Sequence, residues 1–105
     1  MINFVWVYAM TAKKSLLRKR KEILRIARKH GARNVRLFGS YANGNPRIDS
    51  DVDLLVDVGK HHSPWFPGGL VMDLEELLGK HVDVVTPDGL NKLLKERVMS
   101  EAIPL

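Results

Sequence analysis

The chain has 105 residues, of which 45% are hydrophobic, and a formal net charge of +5 at pH 7. This length suits one domain with one modest hydrophobic core. Because the chain contains no cysteine, disulfide bonds, cysteine-based zinc sites and thiol nucleophiles are excluded, which fits a reducing, cytoplasmic location.

Basic and acidic residues are unevenly distributed along the chain. Residues 1–47 hold twelve Lys and Arg residues and one acid, Glu22, whereas residues 48–105 hold five Lys and Arg residues and eleven acids. A strongly basic half suits a polyanion or an acidic partner. A solvated helix face is the simpler explanation of the same lysines and arginines.

The opening segment from Ile2 to Met10 is apolar and aromatic. It is too short to span a bilayer, and it lacks the basic start and the cleavage site of a secretory signal. A docking strand, a disordered tail and an extension before a second start at Met10 all remain open. The sequence therefore predicts an N-terminal extension of uncertain order over residues 1–11 and one folded domain over residues 12–105.

Helical and strand periodicities alternate along the rest of the chain. The first helix is expected to follow Thr11 as N-cap and to end before Gly31. The predicted elements are a helix over residues 12–30, a strand over 35–38, a turn over 43–46, a strand over 51–58, a loop over 59–69, a helix over 70–78, a strand over 82–85, a helix over 90–99 and a tail over 103–105. The predicted fold class is α/β (α+β), a small mixed sheet flanked by helices.

The most informative stretch begins at Gly39 and ends at Asp57. Within it, Asp51 and Asp53 are two residues apart on a predicted strand, so their side chains point to the same face. Two neighbouring carboxylates repel each other unless a cation lies between them. Carboxylate oxygens suit Mg²⁺, which takes its remaining ligands from water and phosphate oxygens. The pair therefore predicts a magnesium site at the end of a buried strand.

Gly39 and Ser40 follow the preceding predicted strand directly. A strand that turns here toward a helix exposes backbone N–H groups, which bind phosphate together with a serine hydroxyl. Glycine lets the backbone approach the phosphate without a Cβ in the way. If the two strands pair, the phosphate donors lie opposite the metal carboxylates.

Asp83 is a third candidate carboxylate, on the predicted strand over residues 82–85. Val82 and Val84 point to the opposite face, and aspartate is disfavoured in strands without a function. An exposed edge strand is the alternative explanation. If this strand lies beside the Asp51–Asp53 strand, three carboxylates meet, which is the arrangement that two-metal phosphoryl and nucleotidyl transfer uses.

The pattern of motifs resembles that of the DNA polymerase β-type nucleotidyltransferase superfamily. It consists of the Gly-Ser pair, ten further residues, the Asp-x-Asp pair and a later isolated Asp. The stretches GSYANGN, SDVDLLVD and HVDVVTP, and the short length, are similar to its minimal nucleotidyltransferase branch. That branch is the antitoxin half of toxin–antitoxin pairs with a HEPN-domain ribonuclease. The resemblance covers roughly residues 12–105, which makes this range the expected nucleotidyltransferase domain with a polymerase β-like fold.

The resemblance implies a role for each matching residue. Gly39 and Ser40 would contact the triphosphate, Asp51 and Asp53 would ligate the metals, and Asp83 would be a further ligand and a possible base. It implies two Mg²⁺ ions, ATP as substrate, and transfer of AMP to a hydroxyl, expected to be a tyrosine of the HEPN-type toxin. The transfer would inactivate the toxin.

Three other functions remain open. A binding-only antitoxin would not need repelling acids side by side. An RNA-end nucleotidyltransferase would use the basic first helix, although no RNA-binding motif accompanies it. A small-molecule nucleotidyltransferase would need an acceptor domain for which the chain has no room. Because about one hundred residues provide little more than the catalytic sheet, the partner or a second copy is expected to complete the site.

Several other polar and aromatic residues invite a functional interpretation. Adjacent residues His61 and His62 point apart in an extended chain, so a mobile loop is expected here rather than a metal site. Trp65 and Phe66 in the same loop could stack on a base or bind a partner, with packing over the sheet as the default. Arg47 could screen the triphosphate or simply be solvated.

Overall fold

The computed structural model describes residues 3–105. Its elements in chain order are α1 (Phe4–Arg18), α2 (Arg20–Lys29), β1 (Ala32–Phe38), α3 (Gly39–Ala42), β2 (Val52–Val58), α4 (Gly68–Leu78), β3 (Val82–Val85), a 3₁₀ turn (Pro87–Gly89), α5 (Lys92–Glu101) and β4 (Ile103–Pro104). The three longer strands and the helices over residues 68–78 and 92–101 confirm the predicted elements to within a few residues.

The strands form one mixed sheet in the order β3-β2-β1-β4. β1 is antiparallel to both β2 and β4, whereas β2 and β3 are parallel. A parallel pair needs a crossover connection, which contains α4. The register of β1 against β2 shifts between Arg33 and Arg36, where Asn34 has a φ of 51°. The predicted small mixed sheet with flanking helices is confirmed.

The main core lies on one face of this sheet. Val52, Leu54 and Val56 alternate along β2 and are fully buried against residues of α1, α2 and α4. The side chain of Arg36 points to the opposite face, where its guanidinium lies 3.6 Å from the sulfur of Met99 on α5. The odd-numbered residues at the start of β2 and β3 therefore face away from the main core.

The first helix differs from the prediction at its start and at its centre. It begins at Phe4, with the side chain of Asn3 accepting hydrogen bonds from the backbone N–H groups of Val5 and Trp6. Thr11 is not an N-cap, because it lies inside α1 and its hydroxyl donates to the carbonyl of Val7. The strand and disordered-tail interpretations are thus wrong for residues 4–10, and Ile2 lies outside the described residues.

The single helix predicted over residues 12–30 is in fact two helices. Lys19 separates them, with a ψ of 11°, and its N–H bonds back to the carbonyls of Leu16 and Leu17. The break lets Leu16 and Ile23 both reach the core, whereas Leu17 remains 40% exposed. The helical end before Gly31 is confirmed, and Gly31 has a positive φ of 83°.

The C-terminal tail also forms more structure than predicted. Ile103 and Pro104 pair with Leu37 and Arg36 as the edge strand β4, and the N–H of Leu105 donates to the carbonyl of Val35. Leu105 is buried. Along residues 3–105, none of the helices combines the length and the apolar character that crossing a bilayer requires.

Candidate active site

The predicted carboxylates come together at the start of two parallel strands. Asp53 on β2 is the direct register partner of Asp83 on β3, and Asp51 immediately precedes β2. Val52 and Val82, which alternate with these acids, are buried. The period of two residues along each strand therefore turns the acids to the face opposite the main core.

The three carboxylates differ in exposure. Asp51 and Asp83 are exposed, whereas Asp53 is half-buried between them. Burial, together with the negative charges of Asp83 and Asp51, raises the pKa of Asp53 to about 6. The protein thus holds a carboxylate whose ionised form is unfavourable until a positive charge lies beside it.

Gly39 brings the backbone against this carboxylate. It has a φ of 71°, and a Cβ at this position would collide with the Oδ2 atom of Asp53. Its neighbour Phe38 is the register partner of Asp53 across β1 and β2. The end of β1 and the start of β2 therefore meet at one point.

Ser40 is half-buried in the short helix α3 that Gly39 begins. No side chain caps the start of this helix in the described structure. Its first backbone N–H groups therefore lack the side-chain acceptor that N-terminal turns commonly have. Such groups are suited to an anionic oxygen, as the sequence predicts for a triphosphate.

The donor set fits magnesium. Residues 3–105 contain no group of three or more acidic, histidine or cysteine side chains that could hold a metal ion as a cage by themselves, and this includes Asp51, Asp53 and Asp83. Magnesium seldom uses such a cage, because it keeps several waters and binds through one or two carboxylates and substrate phosphates. The strand register and the raised pKa of Asp53 both indicate that these carboxylates share one site open to solvent.

Other candidate residues lie outside this site. Asp57 accepts hydrogen bonds from Arg36 at 2.7 Å and from Asn34 at 3.0 Å, which gives it a structural role. Trp65 is 85% exposed, whereas Phe66 packs partly against the core. The side chain of His62 contacts the backbone carbonyl of Ser63.

Lys80 is a residue near the site that the sequence did not single out. It lines a surface depression together with Asp51 and Ser50. In the sequence, a lysine in a turn before a strand cannot be distinguished from any solvated surface lysine. Only the tertiary structure shows that Lys80 lies near the site.

Comparison with known proteins gives several consistent matches. Residues 17–105 match the family described as nucleotidyltransferase domain. The chain is 40% identical over 84 residues to "Putative protein adenylyltransferase MJ0435" of Methanocaldococcus jannaschii, covering 80% of this chain and 90% of that protein. It is 37% identical over 89 residues to "Protein adenylyltransferase MntA" of Thermococcus cleftensis, covering 85% and 88%.

Solved structures agree with these sequence matches. A structure described as a "putative minimal nucleotidyltransferase" has a TM-score of 0.80 and 43% identity, over 89% of this chain and 95% of that one. A crystal structure of a toxin–antitoxin with AMP-PNP contains a chain with a TM-score of 0.69 and 23% identity, over 80% of this chain and 69% of that one. The second match shows a shared fold.

Proposed function

We propose that this chain, which belongs to the nucleotidyltransferase domain family, transfers AMP from ATP to a tyrosine hydroxyl of a HEPN-type ribonuclease toxin and thereby acts as its antitoxin. The single observation that carries this proposal is the placement of Asp53. It lies in register with Asp83, next to Asp51, and directly against Gly39. The carboxylates proposed to bind metal and the backbone proposed to bind phosphate are thus within one small site.

Asp51, Asp53 and Asp83 would hold two Mg²⁺ ions. Bound there, the metal would lower the pKa of the attacking hydroxyl and neutralise charge on the triphosphate. The half-buried Asp53 supports this role, because its raised pKa reflects burial and two neighbouring negative charges that a cation would offset. The other acid on the same strand, Asp57, is paired with Arg36, whereas no such ion pair within the part of the chain that the structure describes accounts for Asp53.

Gly39 and Ser40 would position the triphosphate, with backbone N–H groups and the serine hydroxyl as donors. The acceptor oxygen then forms a bond to the α-phosphorus of ATP as the bond to the pyrophosphate oxygen breaks. The hydroxyl proton leaves to a carboxylate or to water. Asp83 suits this second role, because it is exposed on the edge strand β3 and lies beside Asp53.

A protein acceptor is supported by the relatives, two of which carry the name protein adenylyltransferase and match along most of their length. The HEPN type of the toxin and the tyrosine acceptor rest on the family resemblance of residues 39–57 and 81–87. The exposed setting of Asp51 and Asp83 supports a site that the partner, or a second copy of this chain, completes. ATP and magnesium are supplied in the cytoplasm, which is the compartment this activity requires.

A transfer assay tests the proposal. The purified chain is mixed with α-labelled ATP, Mg²⁺ and the product of the adjacent gene, and label on that protein is measured. Asp51→Asn/Asp53→Asn removes two of the proposed ligands, and Asp88→Asn serves as a control with the same chemistry at an exposed turn. We expect label on the partner with the original chain and with Asp88→Asn, and none with the double variant.

Other outcomes would redirect the assignment. An intact complex without label would indicate an antitoxin that acts by binding alone. Label on added RNA instead of protein would indicate an RNA-end nucleotidyltransferase. Label retained by the double variant would overturn the assignment of Asp51 and Asp53.

A further inference from the structure

A cavity of about 250 Å³ lies between α1, α3 and the end of α4. Its lining includes Leu16 and Leu78 and the polar residues Tyr8, Lys19, Tyr41 and Lys80. None of the three active-site carboxylates lines it. The volume is slightly below that of most ligand pockets, which commonly enclose roughly 300–1,000 Å³. The cavity therefore suits a small molecule with an apolar body.

Tyr41 supplies a buried hydroxyl that lacks a hydrogen bond of good geometry to any described residue. The residue is 1% exposed, and its oxygen has no hydrogen-bond partner among the described residues. Burial raises the pKa of Tyr41, and the positive charge of Lys80 and its hydrogen-bonding approach to the hydroxyl offset part of that effect. Lys80 therefore approaches the hydroxyl closely enough to interact with it, although the contact lacks the geometry of a full hydrogen bond. A buried hydroxyl without a partner is costly, and most such groups in folded proteins are bonded to protein or to another molecule.

Further donors converge on the same space. The ammonium of Lys80 donates to the hydroxyl of Tyr8 at 2.9 Å, which leaves the Tyr8 proton and two Lys80 N–H bonds available. Lys19 donates to the carbonyl of Leu77 at 3.1 Å. Neither lysine belongs to any of the ion pairs found within residues 3–105. The polar part of the cavity therefore offers donors and positive charge, and no carboxylate.

We propose that this cavity binds a small organic carboxylate, with its apolar body against Leu16 and Leu78 and its oxygens against Tyr41, Tyr8 and Lys80. A carboxylate accepts several hydrogen bonds at once and carries the charge that Lys80 favours. A neutral molecule with the same body would satisfy the apolar wall but leave the ammonium without a counter-charge.

The site is separate in its chemistry from the proposed transferase site. The latter offers acidic groups that would repel a carboxylate, whereas the cavity offers ammonium and hydroxyl groups, although Lys80 borders both places. Because the inference rests on the cavity and not on nucleotidyl transfer, it stands even if the transfer assay yields no labelled partner.

Hexanoate and 1-hexanol form a matched pair of probes, since they share an apolar chain and differ in charge. Binding to the full chain is measured by calorimetric titration in the presence of EDTA, so that metal-bridged binding at Asp51 and Asp53 is excluded. We expect saturable binding of hexanoate and an affinity for 1-hexanol that is at least about tenfold lower. The reason is that the hydrogen bonds of a charged group contribute more free energy than a tenfold difference in affinity requires.

Three variants locate the binding site. Tyr41→Phe removes only the unpartnered hydroxyl and keeps the buried ring, so the fold is retained, and hexanoate affinity should fall about tenfold. Lys80→Met should lower the affinity for hexanoate at least as much. Lys92→Met removes an exposed charge at the start of α5 and should leave the affinity unchanged.

Several results would overturn the inference. They are the absence of saturable hexanoate binding, equal affinity for 1-hexanol, or unchanged hexanoate affinity in Tyr41→Phe. If Mg²⁺-ATP displaced hexanoate and Tyr41→Phe weakened both equally, the cavity would belong to the nucleotide site, and the proposal of a separate carboxylate site would fail.

Discussion

Gly39 and Asp53 lie so close that a Cβ on residue 39 would occupy the space of the Asp53 Oδ2 atom. The two residues belong to different elements, since one follows β1 and the other lies in β2. A positive φ of 71° at Gly39 makes the approach possible. The glycine is therefore required both by the turn and by the carboxylate beside it.

Gly39→Ala should abolish transfer and lower stability. The alanine strains the left-handed backbone by about 1 kcal/mol and also displaces the carboxylate. Gly44→Ala is a matched control, because Gly44 also has a positive φ, 77°, but has free space around the added Cβ. Activity and urea unfolding are measured for both variants. Equal losses of activity in the two would contradict a specific role for the Gly39–Asp53 contact.

Ser40→Ala should reduce the use of ATP less than the aspartate substitutions do. The backbone N–H groups at the start of α3 remain in this variant, so only the hydroxyl donor is lost. We expect the KM for ATP to rise by about tenfold at most, measured in the transfer assay at varied ATP. A complete loss of activity with the fold intact would show that the hydroxyl has a larger role than donating one hydrogen bond.

Asp53→Asn should stabilise the chain when metal is removed. Asp53 has a pKa of about 6 in the folded protein, so its ionised form favours unfolding at higher pH. With EDTA at pH 8 the variant should gain about 1–2 kcal/mol in the free energy of unfolding. This is less than the roughly 3 kcal/mol that the full pKa change implies, since the group is partly exposed and screened by solvent.

The stability gained by Asp53→Asn should depend on pH in a definite direction. A folded pKa above the unfolded value means that the folded state binds the proton more tightly, so the destabilisation is complete above about pH 6 and vanishes below about pH 4. The advantage of Asp53→Asn should shrink over this range in urea unfolding with EDTA. An advantage that grows as the pH falls would contradict the origin assigned to the shift.

Asp57→Asn should have the opposite effect although it lies on the same strand. The pKa of Asp57 is held below its usual range by the hydrogen bond from Asn34 and by the charge of Arg36, against the opposing effect of burial. This stabilisation is present above the ordinary aspartate pKa and is lost as the pH falls through the lower folded value. We expect a loss of about 1 kcal/mol at pH 7, since the carboxylate is partly exposed, measured by urea unfolding. A stabilised variant would contradict a structural role for the Arg36–Asp57 pair.

Removal of residues 1–11 tests the predicted domain boundary, which falls inside α1. The deletion removes Phe4 and Trp6, which are largely exposed, but also the buried Ala9 and the Tyr8–Lys80 hydrogen bond. We expect a folded protein that is less stable by about 1–3 kcal/mol, measured by circular dichroism and urea unfolding. An unfolded fragment would show that the domain begins before residue 12.

The family resemblance could be read from the sequence because strand periodicity fixes side-chain direction. Asp51 and Asp53 alternate with Val52, so their common orientation follows from the sequence, whereas the placement of Asp83 beside them also needed the pairing of β2 with β3. The match of residues 17–105 to the nucleotidyltransferase domain confirms that resemblance. The roles of the individual site residues stay predictions that the experiments above address.

The errors occurred where local composition was a poor guide. The aromatic residues 4–8 have strand propensity, but Asn3 caps a helix there. The pairing of residues 103–104 with β1 could not be foreseen, because a two-residue edge strand has no periodicity of its own. Such pairing depends on a distant part of the chain.

The sequence by itself determined most of the alternation of helices and strands and the common face of Asp51 and Asp53. These follow from backbone geometry over a few neighbouring residues. Only the tertiary structure decided that Asp53 lies between Gly39 and Asp83, and that the hydroxyl of Tyr41 is buried beside Lys80 without a partner. Those relations join residues that are far apart in the chain, and they depend on strand order and helix packing rather than on local pattern.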